Sequence, residues 1–244
     1  MAGPIILIFG AGPNIGRSVT ELFISKGYRV ALVSRRPQTS SESENADVWR
    51  FQRDLSNPET VPDVFKQLEA KWGIPNVVIY NGVSRTVLNG DDPLGSFSYD
   101  QLDHDLTVNV KSVVQAAHFA VEGFKKLPSS TKKTFIYTGN KLSVMSLPMV
   151  LYFGICKSGI SHMIWDCNIA YRKDGFRFYF VDERREDGNP VMEHVSGTAA
   201  AETYLKLAEN SEQQRWHYTF VHGKGYLDFE AQDLQNALKN QVGI

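Results

Sequence analysis

Near the start of this chain five apolar residues, Ile5-Ile6-Leu7-Ile8-Phe9, run directly into Gly10-Ala11-Gly12-Pro13-Asn14-Ile15-Gly16 and then into an amphipathic stretch. A strand that stops on closely spaced glycines and resumes as a helix is the first crossover of a parallel α/β sheet, and few other folds accommodate it. Glycine lets the backbone turn sharply and approach a ligand. The start of a helix adds free N–H groups and the positive end of its dipole, which together favour an anion such as a pyrophosphate. Gly10, Pro13, Asn14, Ile15 and Gly16 are therefore candidate dinucleotide contacts.

The same alternation continues along the chain. Strands are predicted at Ile5–Phe9, Arg29–Ser34, Asp47–Gln52, Asn76–Tyr80, Thr134–Tyr137, Phe176–Val181 and Trp216–Val221, and helices at Asn14–Lys26, Pro58–Trp72, Tyr99–Leu127, Val150–Tyr171 and Thr198–Glu209. This order predicts an α/β chain with one doubly wound domain of Rossmann type over residues 1–244 and a largely parallel seven-stranded sheet. A length of 244 residues suits one such unit. Gln38 to Asn45, rich in Ser and Glu, reads as a short exposed loop.

Charge narrows the partners. A formal net charge of −1 provides no large field for nucleic acid or an anionic membrane, so a small-molecule substrate is expected instead. Met1 to Phe9 has no basic start, and its apolar run is too short for a membrane span, which makes the cytoplasm the expected location. Cys156 and Cys167 form no CxxC pair and the six histidines show no ligand spacing, so no metal is expected.

Beyond the glycine loop, the second strand ends Val33-Ser34-Arg35-Arg36, where a dinucleotide fold meets the adenosine ribose. An acid there would accept from the 2′-hydroxyl of NAD, whereas a guanidinium suits the 2′-phosphate of NADP; two arginines, Arg35 and Arg36, and no acid thus point to NADP(H), with Ser34 and Arg35 as expected contacts. Asp54 and Leu55 close the third strand on the adenine side, although Asp54 is also placed to cap the helix near Pro58. Asn81 and Gly82 follow the fourth strand, at the point where strand order should reverse.

These elements together resemble the short-chain dehydrogenase/reductase superfamily, from Ile5 to about Phe229. Its first loop, TGxxxGxG, is met with Phe9 for threonine and Asn14 for the middle glycine, asparagine being the best non-glycine occupant of a left-handed position. Its NNAG corresponds to Tyr80-Asn81-Gly82-Val83. Asn109 in Thr107-Val108-Asn109-Val110 matches the family asparagine that assists a lysine–water proton relay. Counting back from Lys157, which in the family hydrogen bonds the nicotinamide ribose, the tyrosine of YxxxK is Phe153, and Asn140 stands where the family has its serine. Tyr152 lies about 140° around a helix from Lys157 and is poorly placed as a substitute acid.

The resemblance therefore implies a catalytic set of Lys157, Asn109, Asn140 and Phe153 with two reactive hydroxyls missing. It further implies a homodimer or homotetramer formed through the long helices. Where the family has Pro-Gly beside the nicotinamide, Val181-Asp182-Glu183-Arg184-Arg185 is expected as a charged turn. That turn, Tyr137-Thr138-Gly139-Asn140 and the Thr219–Tyr226 ending resemble an atypical fungal branch.

A ketone becomes an alkoxide on hydride addition and needs an acid, whereas an iminium becomes a neutral amine without one. Hydride transfer from NADPH to such a cation, in fungal secondary metabolism, is the expected function, with Phe153 as apolar wall and Asp182 or Glu183 as counter-charge. A degenerate NADPH-binding sensor module and a non-redox cyclase on the same scaffold stay open as alternatives.

Overall fold

The computed structural model describes residues 3–36 and 46–242, so the expected loop at Gln38 to Asn45 lies outside the described residues. β1 (Ile5–Phe9), β2 (Arg29–Ser34), β3 (Val48–Gln52), β4 (Val77–Tyr80), β5 (Lys133–Thr138), β6 (Phe176–Arg184) and β7 (His217–Val221) lie parallel. β8 (Gly225–Tyr226) pairs antiparallel with β7. The order is β3-β2-β1-β4-β5-β6-β7-β8, an α/β Rossmann-like sheet of eight strands rather than seven. Two residues suffice for the extra strand because Gly223 and Gly225, both at positive φ, fold the chain straight back onto β7.

Near-continuous apolar runs make the inner strands, as expected where both faces are covered. One face carries Leu7, Phe9, Val78, Tyr80, Phe135, Tyr137, Phe178 and Phe180 against α2 (Thr60–Lys71), α4 (Ser112–Lys126) and α5 (Leu151–Ala170). The other carries Ile6, Ile8, Val77, Ile79, Ile136, Tyr179 and Val181 against α1 (Ile15–Ser25) and α6 (Gly197–Glu209). Ala199, Ala200 and Ala201 keep α6 slim where it meets this face. β1 neighbours both β2 and β4, so consecutive crossovers leave in opposite directions and open a crevice at the strands' carboxyl ends.

Three boundaries and one additional helix differ from the expectation in ways that matter for the site. The helix expected at Tyr99–Leu127 is α3 (Tyr99–Leu106), a π-helical turn over Thr107–Lys111, and α4. α2 begins at Thr60 because Asp54 and Asn57 each accept from the backbone two residues on, Ser56 N at 2.9 Å and Glu59 N at 3.0 Å, and so hold Pro58 in a turn. β6 continues three residues beyond the expected end, making Asp182-Glu183-Arg184 strand rather than turn. A further helix, α7 (Glu230–Val242), follows β8. Among the described residues no helix is long and apolar enough to cross a membrane, and no group of three or more His, Cys, Asp or Glu side chains is placed to hold a metal ion.

Candidate active site

Two clefts of about 600 and 470 Å³ open along the carboxyl ends of the strands and share Asn81 and Val83. The first lies over the glycine loop. Gly10 sits at φ 81°, and a Cβ there would fall 2.3 Å from the Gly82 Cα, so the chain leaving β1 cannot carry a side chain where it passes the backbone that follows β4. Asn81 fixes the crossing by donating from Nδ2 to the Gly10 carbonyl at 2.8 Å. Pro13, Ser34, Arg35, Asp54 and Leu55 line this cleft with Gly10, Asn81 and Gly82, bringing together eight of the expected cofactor residues. Backbone N–H donation from Ser56 is the largest influence holding the Asp54 carboxyl below its ordinary pKa.

The remaining loop residues do other work. Asn14 has φ −97°, not a left-handed backbone; its amide instead donates to the Val195 carbonyl at 2.8 Å and ties the loop to the segment ahead of α6. Ile15 lines the second cleft, and Gly16 lets α1 pass Ala11, against whose Cα a Cβ would stand 2.7 Å away. Arg36 lines the first cleft beside Arg35, and sequence reasoning missed Arg17, Arg50 and Arg53, which join them there. Among the described residues Arg50 Nε is buried without a hydrogen-bond partner. Its side chain alternates with the core residues Trp49 and Phe51 on β3, which was the available signal.

The second cleft brings Asn140, Phe153 and Lys157 together. Lys157 is 4% exposed; Nζ donates to the Thr138 carbonyl at 2.7 Å and lies 4.3 Å from the Tyr137 ring centroid and 5.0 Å from that of Phe153. Burial outweighs the nearby Asp182 charge and lowers the Lys157 pKa to about 7, so near neutrality the amine is divided between its two forms. Phe153 precedes it by one helical turn and presents a ring with no hydroxyl. Asn140 accepts from Leu142 N at 3.1 Å through Oδ1, capping the short turn Lys141–Ser143, and its amide retains N–H donors.

Neither of two other phenols replaces the missing one. Tyr152 is turned away from the cleft: its hydroxyl accepts from Ser98 N at 3.2 Å and its ring meets Phe97 edge-on. Tyr204 of α6 does line the cleft, but its hydroxyl is bonded to Thr138 Oγ1 at 2.8 Å and burial raises its pKa, making it a weaker acid.

Asn109 does not line either cleft. In the π-helical turn, its Oδ1 accepts from Ser84 N at 3.0 Å and its Nδ2 donates to Ser84 O at 2.7 Å. Fully buried Asp105, four residues earlier, takes Ser84 Oγ at 2.5 Å and Thr86 N at 2.9 Å. Together they pin the loop after β4; their four-residue spacing on one helix was a signal the sequence reading passed over.

Of the expected acids, only Glu183 lines the cleft. It is 8% exposed, accepts from Ser196 N at 2.9 Å, and burial raises its pKa against that bond. Asp182 points to the opposite sheet face and pairs with Arg184, as strand alternation requires.

A profile of the short chain dehydrogenase family matches residues 4–182. The chain belongs to the short-chain dehydrogenase family. A short chain dehydrogenase/reductase of Cryptosporiopsis sp. is 38% identical over 241 residues, covering 95% of this chain and 97% of its own. Among solved structures of this fold, ElxO with NADP bound superposes with a TM-score of 0.75 at 15% identity, covering 90% of this chain and 96% of that one. A tyrosine-to-phenylalanine variant of ElxO with NADPH bound gives 0.71 over the same shares of the two chains. 4-Hydroxyisoleucine dehydrogenase complexed with NADH gives 0.66 at 19% identity over 75% of each chain.

Proposed function

We propose that this chain is an NADP(H)-dependent oxidoreductase that transfers hydride to a small acceptor already carrying positive charge, such as an iminium. The observation that carries the reading is Phe153, a bare ring on the cleft wall one turn from a buried lysine, with Tyr152 turned away and Tyr204 tied to Thr138. Neutral ketones need a proton at the transition state, and this wall has no phenol to give one.

The first cleft fits the dinucleotide. The Gly10–Gly82 crossing leaves the backbone bare where a pyrophosphate would approach, and the arginines around Arg35 suit a 2′-phosphate. ElxO holds NADP in this fold, which supports the same use of it here; 4-hydroxyisoleucine dehydrogenase holds NADH, so it is the arginines rather than the fold that argue for the phosphorylated cofactor. Bound NADPH supplies the hydride. Lys157 then serves the nicotinamide ribose as a hydrogen-bond donor, and Asn140 directs its amide at the acceptor. Phe153 excludes water from one side, and Glu183 sets a negative charge beside the cation when it is ionised. Hydride addition to the C=N⁺ carbon converts the iminium to a neutral amine, and no proton moves in that step. One chain thus forms the full cleft in this reading, with a single dinucleotide-binding domain and assembly into a homo-oligomer through the long helices.

The test is NADPH oxidation by wild type over a panel of cyclic imines and simple ketones. Turnover is expected with imines at a pH where they are protonated and not with ketones; brisk ketone reduction would sink the proposal. Arg35→Ala is expected to weaken NADPH binding by about tenfold or more, the worth of a charge-assisted bond, while leaving NADH binding unchanged. Titration of both cofactors by nicotinamide fluorescence checks this, and an equal loss for the two would remove Arg35 from the phosphate site.

A further inference from the structure

Four charged side chains are buried together behind the second cleft. Arg184, at the end of β6, donates from Nε to Asp182 Oδ2 at 2.5 Å and holds the Asp233 carboxylate through both terminal nitrogens, each at 3.1 Å. Lys141 places Nζ 2.7 Å from the Gly188 carbonyl and 3.4 Å from Asp233 Oδ1, and Arg184 donates to the same carbonyl at 3.0 Å. None of the four side chains is more than 8% exposed. Two cations and two anions leave the group neutral, and the paired geometry offsets the cost of taking the ions out of water. His217 Nε2 stands 3.9 Å from Asp182 Oδ2 at its edge.

The elements that this group joins are the walls of the cleft. Lys141 follows Asn140 directly and begins the segment that carries Leu142, Met145 and Leu147 along one side. Gly188 lies in the turn closed by the Arg185 N to Asn189 O bond, from which Pro190, Val191 and Met192 continue along the other. Asp233 belongs to α7, and among the described residues none of that helix lines either cleft. Its neighbour Gln232 donates to Asp187 O at 2.7 Å and presses on Gly188, where a Cβ would come within 2.4 Å of Gln232 Oε1. Gly188 also has φ 75°, so this turn is built for glycine under α7.

We propose that Asp233 is a positioning residue: through Lys141 and Arg184 it sets both walls of the acceptor cleft, so that α7, remote from the dinucleotide, determines the shape in which the acceptor is held. This rests on reading the second cleft as the acceptor site, but its test needs no turnover. Amide hydrogen exchange is compared in wild type, Asp233→Asn and Asp233→Glu, and NADPH affinity is measured in parallel. Asp233→Asn is expected to speed exchange at least about tenfold in residues 140–147 and 185–195, because it leaves two buried cations sharing one carboxylate, while β1, β2 and β4 keep their protection. Asp233→Glu, which keeps the charge, is expected to restore most of the protection. NADPH affinity is expected to be equal in all three.

Unchanged exchange in both walls would overturn the proposal. So would uniform acceleration across the sheet, the mark of a merely structural ion pair. Loss of NADPH binding by wild type would count against the functional reading and leave the exchange result intact. If Asp233→Asn does not fold, Lys141→Met cuts the link from the cleft side: release of residues 185–195 and of α7 supports the proposal, and unchanged exchange in both overturns it.

Discussion

Phe153→Tyr is expected to switch on ketone reduction with NADPH, raising kcat/KM by about 10²-fold or more over wild type, the usual worth of a general acid. The argument is geometric first. Phe153 and Lys157 are four residues apart on α5, the ring lines the cleft, and its centroid lies 5.0 Å from Lys157 Nζ, so a phenol at 153 is delivered beside the amine. It is also electrostatic. Lys157 is divided between its charged and neutral forms near pH 7, and its charged form lowers the pKa of a neighbouring phenol, which is what a proton donor to an alkoxide requires. Asn140 already supplies an amide donor where the family has serine, so the single substitution is the informative one. Imine turnover should persist in the variant, since that step draws on no acid. A variant that binds NADPH normally yet reduces no ketone would show that more than the hydroxyl is missing, and Asn140→Ser added to it is the next measurement.

How far this site could be read from the chain depends on how local its causes are. The Ile5–Gly16 segment was legible because strand, turn and helix are adjacent and glycine's freedom is a property of one residue. Gly10 bears this out: its neighbour Gly82 follows β4, far along the chain, yet the close approach needs only that Gly10 lacks a Cβ. Asn14 shows the limit. Its type allowed a left-handed backbone, but a bond to Val195, 181 residues away, gave it φ −97° instead. The same holds for Asp182-Glu183-Arg184. Three consecutive charges read as a solvated turn because isolated buried charge is costly, and the partner that reverses the balance, Asp233, lies 49 residues beyond Arg184. No local pattern could announce that pairing. α7 was invisible for a related reason: part of what seats it is that ion pair, and an apolar periodicity does not record it. Phe153 and Asn140 were legible as departures, whereas the hydrogen bonds that hold the hydroxyls of Tyr152 and Tyr204 could be seen only in the structure.

Lys157→Met is expected to make the protein more stable at pH 6, by roughly 2 kcal/mol, while abolishing tight NADPH binding. An ordinary lysine titrates at 10.5, and in the folded chain burial brings Lys157 to about 7. Between those values the unfolded chain holds a proton that the folded one has released, so the stability of wild type rises with pH from about 7 to about 10.5. Below pH 7 both states carry the charge and its burial costs the fold in full, on the order of 3–5 kcal/mol. Methionine removes that cost at every pH. It also leaves the Thr138 carbonyl without its donor, a loss of about 1–3 kcal/mol that does not vary with pH. The difference between the two terms favours the variant in acid, shrinks by about 1.4 kcal/mol per pH unit above 7, and turns in favour of wild type at about pH 8.5. Urea denaturation of both proteins from pH 6 to 10 measures this directly. Parallel stability curves would mean that Lys157 is not held near neutrality, and with that the amine would enter catalysis fully charged. A crossing of the curves would show that the fold accepts a destabilising lysine at this position, and the loss of NADPH binding in the more stable variant identifies what that lysine is kept for.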